Sequence, residues 1–264
     1  MISPNPNEAR DLLVGTSGEN QKTYYEAEDR ILGDPTHVGY IMPQLAPGQS
    51  VLNLGCGTMK LVPPGDELYV GIDALFEPLR DRKKDNSEDL SVRAVGEKLP
   101  IRDETFDVIM SRVAIMYMDI PAFTVEAHRV LKPDGTLWLT GHKFTHVLLH
   151  LSRSIRKGNV KDIIFRTYVI LNGLLFHLFG SLVRFPFNRR RIESFQTRRG
   201  LRRELTRRQF TDIQFFVDRP KPRGFFRTLR RARRLMASAR LRVAFGRLME
   251  WQHFLVIARK PLAP

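Results

Sequence analysis

Short apolar runs separated by segments of helical period fill the first half of the chain. Val51-Leu52-Asn53-Leu54, Leu68 to Ile72, Leu90 to Ala94, Phe106 to Met110 and Thr136 to Thr140 each read as a buried strand. Between the last two, Pro121 to Leu131 carries Ala122, Val125 and Val130 on one side and reads as a helix. Tyr24 to Leu45 also repeats at helical spacing, and Pro47-Gly48 marks a turn before the first strand. Strands alternating with helices predict βαβ units: an α/β, doubly wound, mostly parallel Rossmann-like sheet with both faces covered. Residues 1–20 are rich in Pro, Asn, Gly and Ser and lack apolar periodicity, so 1–23 is expected to be a flexible arm before one domain spanning 24–264.

The pattern changes after Gly141. Residues 143–187 read as mainly helical, and 143–196 is expected to form a helical insertion or lid after the fifth strand. Positions 167–183 are uncharged, but this run sits at the lower limit for a membrane span, about 20 residues being usual. Gly173, His177, Gly180, Ser181 and Arg184 fall on one helical face, so a packed lid or interfacial element is expected rather than a span. Thr197 is placed to cap a short helix with Leu201 and Leu205 inward and Arg198, Arg199, Arg202 and Arg203 toward water. A strand is expected at Phe210 to Val217 and a last one at Phe254 to Ala258. Between them, 219–249 reads as a basic amphipathic helical insertion, with Phe225, Leu229, Ala232, Met236, Ala239 and Val243 on one face.

Charge sharpens this division. The 264 residues carry a net charge of +15, yet residues 1–142 sum to −8 and residues 143–264 to +23. So many arginines without acidic partners repel one another unless an anionic surface is near. An anionic membrane surface is the expected partner, and nucleic acid is the less favoured one. The single cysteine, Cys56, excludes an intrachain disulfide framework or a multi-thiolate zinc site and fits a reducing compartment. The first residues lack a basic segment followed by an apolar run, so no secretory signal is read and a cytoplasmic protein, peripheral to a membrane's inner face, is expected.

The first strand runs directly into Gly55-Cys56-Gly57-Thr58, and Asp73 closes the second strand. In a doubly wound sheet this puts a tight glycine turn beside a carboxylate at the carboxyl edge, where a nucleoside fits between them. A dinucleotide site needs a third glycine, where Lys60 stands, and a helix N-terminus, for which Pro63-Pro64-Gly65 leave no room. A nucleoside without a pyrophosphate is therefore the better ligand.

These segments resemble the class I S-adenosylmethionine-dependent methyltransferases, in the branch of the ubiquinone and menaquinone biosynthesis methylases. The likeness runs in order from Val51 to His142: the glycine turn, Val70-Gly71-Ile72-Asp73, Gly96-Glu97-Lys98-Leu99-Pro100-Ile101, Phe106 to Arg112, and Ala127 to Leu137. Residues 205–217 and 254–260 resemble the family's closing helix and antiparallel strands. The resemblance implies S-adenosyl-L-methionine as cofactor, with Gly55, Cys56 and Gly57 along its methionine part and ribose, and Asp73 on the ribose hydroxyls. It further implies Gly96 and Glu97 beside adenine, and Ser111 and Arg112 on the sulfonium side. Asn53 stands where the family has an acidic residue, Met59 in place of a glycine, and Val95 in place of the usual adenine-binding Asp.

Methyl transfer is one displacement, so positioning supplies most of the catalysis and no catalytic triad is required. His142, just past the fifth strand, is the candidate general base, with a structural hydrogen-bonding role as the alternative. His146 and His150 stand at i and i+4 without a third ligand, so no metal is expected. Ser111-Arg112-Val113-Ala114 follows the fourth strand where an enzyme acting on base nitrogen would carry an Asn-Pro-Pro-Tyr-like segment. The expected acceptor is a small or lipid-like molecule methylated on oxygen or carbon; the competing class is an RNA methylase or nucleic-acid binder using the basic half.

Overall fold

A computed structural model describes residue 43 and residues 45–58, 68–85, 90–142, 144–217 and 253–262. The expected arm, the helix expected at 24–45 apart from Pro43 and Leu45, the prolines at 63–64 and the basic 219–249 insertion lie outside the described residues. Seven strands form one sheet: β1 Val51–Leu54, β2 Tyr69–Asp73, β3 Ser91–Arg93, β4 Phe106–Arg112, β5 Leu131–His142, β6 Thr211–Val217 and β7 His253–Arg259. Their order is β3-β2-β1-β4-β5-β7-β6, with β1 to β5 parallel and β7 antiparallel to both neighbours. Five helices accompany them among the described residues: α1 Phe76–Asp85, α2 Ile120–Val130, α3 Phe144–Arg156, α4 Val160–Phe179 and α5 Arg198–Arg207.

The apolar runs are continuous because alternate residues serve opposite faces of a sheet covered on both sides. Leu52, Leu54, Ile72, Ile109, Leu137 and Leu139 join one large core with Phe123, Ala127 and Val130 of α2 and Leu201 and Leu205 of α5. Val51, Val108, Met110, Trp138 and Leu255 form a smaller cluster on the other face.

Two strands outrun their apolar patterns. β4 continues through Ser111 and Arg112, which pair with Leu139 and Thr140, and β5 begins at Leu131 and ends at His142. α2 stops at Val130, one residue short of the expected end, because Leu131 is already extended and Pro133 disfavours helix just before it.

Asp107 ties the start of β4 to the start of β1. Its Oδ2 accepts from Ser50 N (2.8 Å), Ser50 Oγ (2.7 Å) and Lys132 Nζ (2.8 Å). Burial pushes this carboxyl up, but the hydrogen bonds from Lys132 and Ser50 prevail and hold it below the usual aspartate range. A carboxyl lowered in the folded state contributes stability above its unfolded pKa and loses it as pH falls through the folded value. Asp107→Asn is therefore expected to flatten the fall in melting temperature on acidification below about pH 4, measured by thermal scans across a pH series.

The segment after β5 departs from its pattern in three ways. α4 ends at Phe179, because Gly180 takes a left-handed conformation (φ 75°), and the rest of the run to 187 is not helical. Ser181 and Arg184 thus share no helical face with Gly173 and His177. One polar residue of α4 also points inward. Asn172 is buried, donating to Tyr168 Oη (3.2 Å) and Glu193 O (3.0 Å) and accepting from Val183 N (2.8 Å). Third, Thr197 caps α5 by accepting from Gly200 N (3.0 Å), but Arg203 does not turn to water. Its guanidinium donates to the carbonyls of Phe176, His177 and Leu178, satisfying the unpaired end of α4.

Gly173 is where α4 meets the chain returning through Phe195: a Cβ there would stand 2.3 Å from the Phe195 ring. Gly173→Ala is expected to lower stability by about 1–3 kcal/mol through overpacking, read as a lower melting temperature.

Candidate cofactor and active site

The carboxyl ends of β1 to β5 lie along one edge of the sheet, and the chemically distinctive residues collect there. β1 turns through Gly55 (φ 69°), Cys56 and Gly57 (φ 53°), with Gly55 N and Cys56 N donating to Ile72 O at 2.7 and 3.1 Å. Glycine at 55 has a packing reason as well as a conformational one: a Cβ would stand 2.2 Å from Ala114 Cβ, in the turn after β4. The thiol of Cys56 is buried toward β2, where a Cβ on Gly71 would stand 3.1 Å from it, so the ligand face of this turn is made of backbone.

Asp73 ends β2 directly beside that turn. One carboxylate oxygen accepts from Gly57 N (2.9 Å) and the other from Leu75 N (2.8 Å). Burial raises its pKa, against the opposing effect of these amide bonds. A carboxylate has about four acceptor sites. Asp73 thus keeps capacity on both oxygens for a pair of hydroxyl donors.

The third strand leads to Gly96 and Glu97. A Cβ on Gly96 would meet Met118 Sδ at 2.8 Å and Leu54 at 3.0 Å, so glycine is needed for the chain to lie against the core. Glu97 Oε1 accepts from Asp119 N (2.8 Å), and burial raises its pKa while the nearby Arg184 opposes the rise. At the centre of the sheet, Asn53 is fully buried; its Nδ2 donates to Tyr69 Oη (2.8 Å), while its Oδ1 has no hydrogen-bond partner. Ser111 is buried with its Oγ unpartnered, and Arg112 is half-buried at the end of β4.

The acceptor side begins at the end of β5. His142 stacks its ring on His146 of α3, with centroids 3.8 Å apart and planes 8° apart, and His146 leans on His150 at 4.6 Å. Burial, with Arg166 and Arg153 adding repulsion, lowers His150 to about 4, so that imidazole is neutral at physiological pH. Among the described residues no group of three or more His, Cys, Asp or Glu is placed to hold a metal ion.

Residues 193–196 pass along this edge: Ser194 N donates to Met116 O (3.1 Å) and Gln196 N to His142 O (3.3 Å). Gln196 Nε2 is held by Ser194, and its buried Oε1 lies next to Gly141 without a hydrogen-bond partner. The sequence reading missed Gln196 and the approach of Arg184 to Glu97. Both arrive on an irregular stretch, where no periodicity announces them. His177, by contrast, is occupied within the fold, its Nδ1 lying 2.7 Å from Thr197 Oγ1.

The arrangement is thus a glycine turn, a half-satisfied carboxylate on the next strand and unpartnered buried oxygens, set on a sheet of order 3-2-1-4-5-7-6. Residues 52–139 match the family model described as a methyltransferase domain. Residues 52–139 are a class I S-adenosylmethionine-dependent methyltransferase domain. The chain is 34% identical over 98 residues to an uncharacterized methyltransferase of Synechocystis, covering 34% of this chain and 46% of that protein. It is 32% identical over 89 residues to the mitochondrial arginine-hydroxylase NDUFAF5 of Danio rerio, covering 32% of this chain and 28% of that one. The chain therefore matches less than half the length of these curated relatives. A chain in the complex of the Haloferax volcanii Trm112 methyltransferase activator with a methyltransferase has the same fold (TM-score 0.54, 16% identity, 97% of this chain and 95% of that one).

The residues of this methyltransferase domain fit the cofactor. The open acceptor sites of Asp73 suit a ribose diol, the backbone of Gly55 to Gly57 turns beside it, and Glu97 follows the third strand.

Proposed function

We propose that the protein transfers a methyl group from S-adenosylmethionine to an oxygen or carbon of a small, largely apolar acceptor. A lipid-like molecule is the preferred acceptor, and the sequence's likeness to quinone-biosynthesis methylases favours the same class. The observation that carries this reading is the path of residues 193–196, which bonds to Met116 and His142 and so brings the insertion to the end of β5, where the acceptor would enter. An edge bordered in this way suits a small molecule better than a nucleic-acid duplex or a folded protein surface. The insertion has an apolar core of its own there, with Val147, Phe165, Val169 and Phe195 in one cluster.

When bound, S-adenosylmethionine supplies a methyl carbon made electrophilic by its sulfonium. Asp73 would accept from the ribose hydroxyls and Glu97 from the adenine side. His142, at the end of β5, would take the acceptor's proton as the bond from acceptor to methyl carbon forms and the methyl–sulfur bond breaks, its electron pair passing to sulfur so that S-adenosylhomocysteine leaves. Gln196 Oε1 would be a second acceptor for orienting a donor group nearby.

Incubation of the full chain with S-adenosylmethionine and a lipid extract, followed by mass spectrometry, tests the reading. Molecules that gain one methyl group are expected among the apolar fraction. Methylation confined to RNA added in parallel would replace the acceptor class, and stabilisation by NADH but not by S-adenosylhomocysteine would overturn the cofactor.

A further inference from the structure

α4 is apolar on both faces. Its inner face, with Phe165, Val169 and Phe176 beside Asn172 and Gly173, is buried against the chain returning through Glu193 and Phe195. The opposite face carries Val160, Ile164, Leu171, Leu174 and Leu178, spaced i, i+4, i+11, i+14 and i+18, all exposed, with the exposed Thr167 at i+7 and Phe179 at its end 71% exposed. The row runs about 27 Å along the helix at 1.5 Å per residue. Exposed apolar surface of this extent marks an interaction site. By length and composition α4 is apolar enough to cross a membrane, yet its inner face is committed to protein, which leaves the outer face to meet a partner side-on.

Charge identifies the partner. Lys157 and Lys161 are exposed at the start of the row. At its other end Arg203 grips the last carbonyls of α4, and Arg198, Arg199 and Arg202 line with it an open groove of about 700 Å³ against Ile213 and Phe215 of β6. Of the four carboxylates in residues 144–217, Asp162, Glu193 and Glu204 are engaged by arginines, and only Asp212 is exposed on β6. A second copy of the chain on this row would bring like cations face to face, whereas an anionic bilayer complements both the apolar row and the charge.

We infer that the exposed face of α4 docks the protein flat on an anionic lipid surface, the leucines entering the headgroup boundary and the flanking Lys and Arg side chains staying at phosphate level. This deepens the reading of a lipid-like acceptor, because α4 belongs to the same insertion whose residues 193–196 border the acceptor edge. The docking itself does not depend on that reading.

The test is flotation of the full chain with phosphatidylcholine vesicles, with and without about one third phosphatidylglycerol, across a salt series. The protein should float with the anionic vesicles and lose this binding as salt rises. Leu171→Ser/Leu174→Ser/Leu178→Ser changes only exposed side chains, so its melting temperature and its stabilisation by S-adenosylhomocysteine should match the parent. Its partition onto anionic vesicles should fall at least about tenfold. Arg198→Gln/Arg199→Gln/Arg202→Gln should lose the preference for anionic over neutral lipid. Equal flotation of the leucine variant and the parent would overturn the inference, as would flotation with neither vesicle. A parent dimer that the leucine substitutions convert to monomer, with vesicle binding unchanged, would assign the face to a second copy. Retention on RNA lost by the arginine variant, without vesicle binding, would assign the groove to nucleic acid. Vesicle binding with no methylated lipid would leave the docking standing and remove the acceptor reading alone.

Discussion

Asp73→Ala is expected to weaken S-adenosylhomocysteine binding by at least about 10²-fold and to abolish most of the ligand-induced rise in melting temperature. The carboxylate is the only side chain at the end of β2 that both fixes the glycine turn, through Gly57 N at 2.9 Å, and keeps acceptor capacity on each oxygen. Hydrogen bonds to a charged group contribute about 1.5–3 kcal/mol each, so losing two to a ribose diol amounts to roughly 3–6 kcal/mol. A ligand at 100 times its dissociation constant stabilises the fold by about 2.7 kcal/mol, and that is the quantity the substitution should erase. Isothermal titration with S-adenosylhomocysteine measures the affinity directly. Asp73→Asn supplies the control: it retains one acceptor oxygen but no charge, and an intermediate affinity is expected. A dissociation constant unchanged in the alanine variant would remove Asp73 from the cofactor site. The pKa of Asp73 is raised by burial, so ionisation of the empty site costs folding energy above the ordinary aspartate range. Ribose hydroxyls donate to the ionised form and offset that cost, so binding should strengthen as pH rises out of the acid range.

The sheet and the cofactor edge were legible for one physical reason. A parallel strand buried on both faces must be apolar almost throughout, and Val51 to Leu54, with Asn53 bonded to Tyr69 as its one polar side chain, and Tyr69 to Ile72 have no other solution that buries them. Glycines and an acid placed immediately after such runs then fall on the carboxyl edge whatever the remaining chain does. The lengths of β4 and β5 were not legible, because Ser111, Arg112, Gly141 and His142 lie where the strands run out toward the site and carry no apolar signature. Periodicity also ran too far on α4. It put Ser181 and Arg184 on a helical face with Gly173 and His177, but Gly180 ends the helix, and the burial of Asn172 depends on partners of its side chain, Val183 and Glu193, that the period does not reveal. Arg203 was likewise read as solvated, since nothing in its own helix reveals that the end of α4 stops within reach. Gln196 and Arg184 reach the site on chain with neither period nor motif, and only the folded path of 180–196 exposes them.

His142→Ala is expected to slow methyl transfer by roughly 10² to 10⁴ while leaving the affinity for S-adenosylhomocysteine unchanged. The reason for the split lies in the layout of the edge. The residues proposed to hold the cofactor, Gly55, Gly57, Asp73 and Glu97, lie at or just beyond the ends of β1 to β3, whereas His142 closes β5 on the far side of β4. A general base must hold an unprotonated nitrogen toward the acceptor, and the stack on His146, with centroids 3.8 Å apart, fixes the orientation of the ring. Neutral His150 adds no positive charge to the end of that stack. His146→Ala should therefore loosen the ring without removing the base, giving a loss of turnover smaller than that of His142→Ala and a pH profile of the same shape. The measurement is single-turnover methyl transfer as a function of pH, with the acceptor identified from the lipid extract. The parent should show an ascending acid limb that His142→Ala abolishes. Turnover and acid limb both unchanged in His142→Ala would make the histidine a structural member of the stack and leave the reaction to the alignment of donor and acceptor alone.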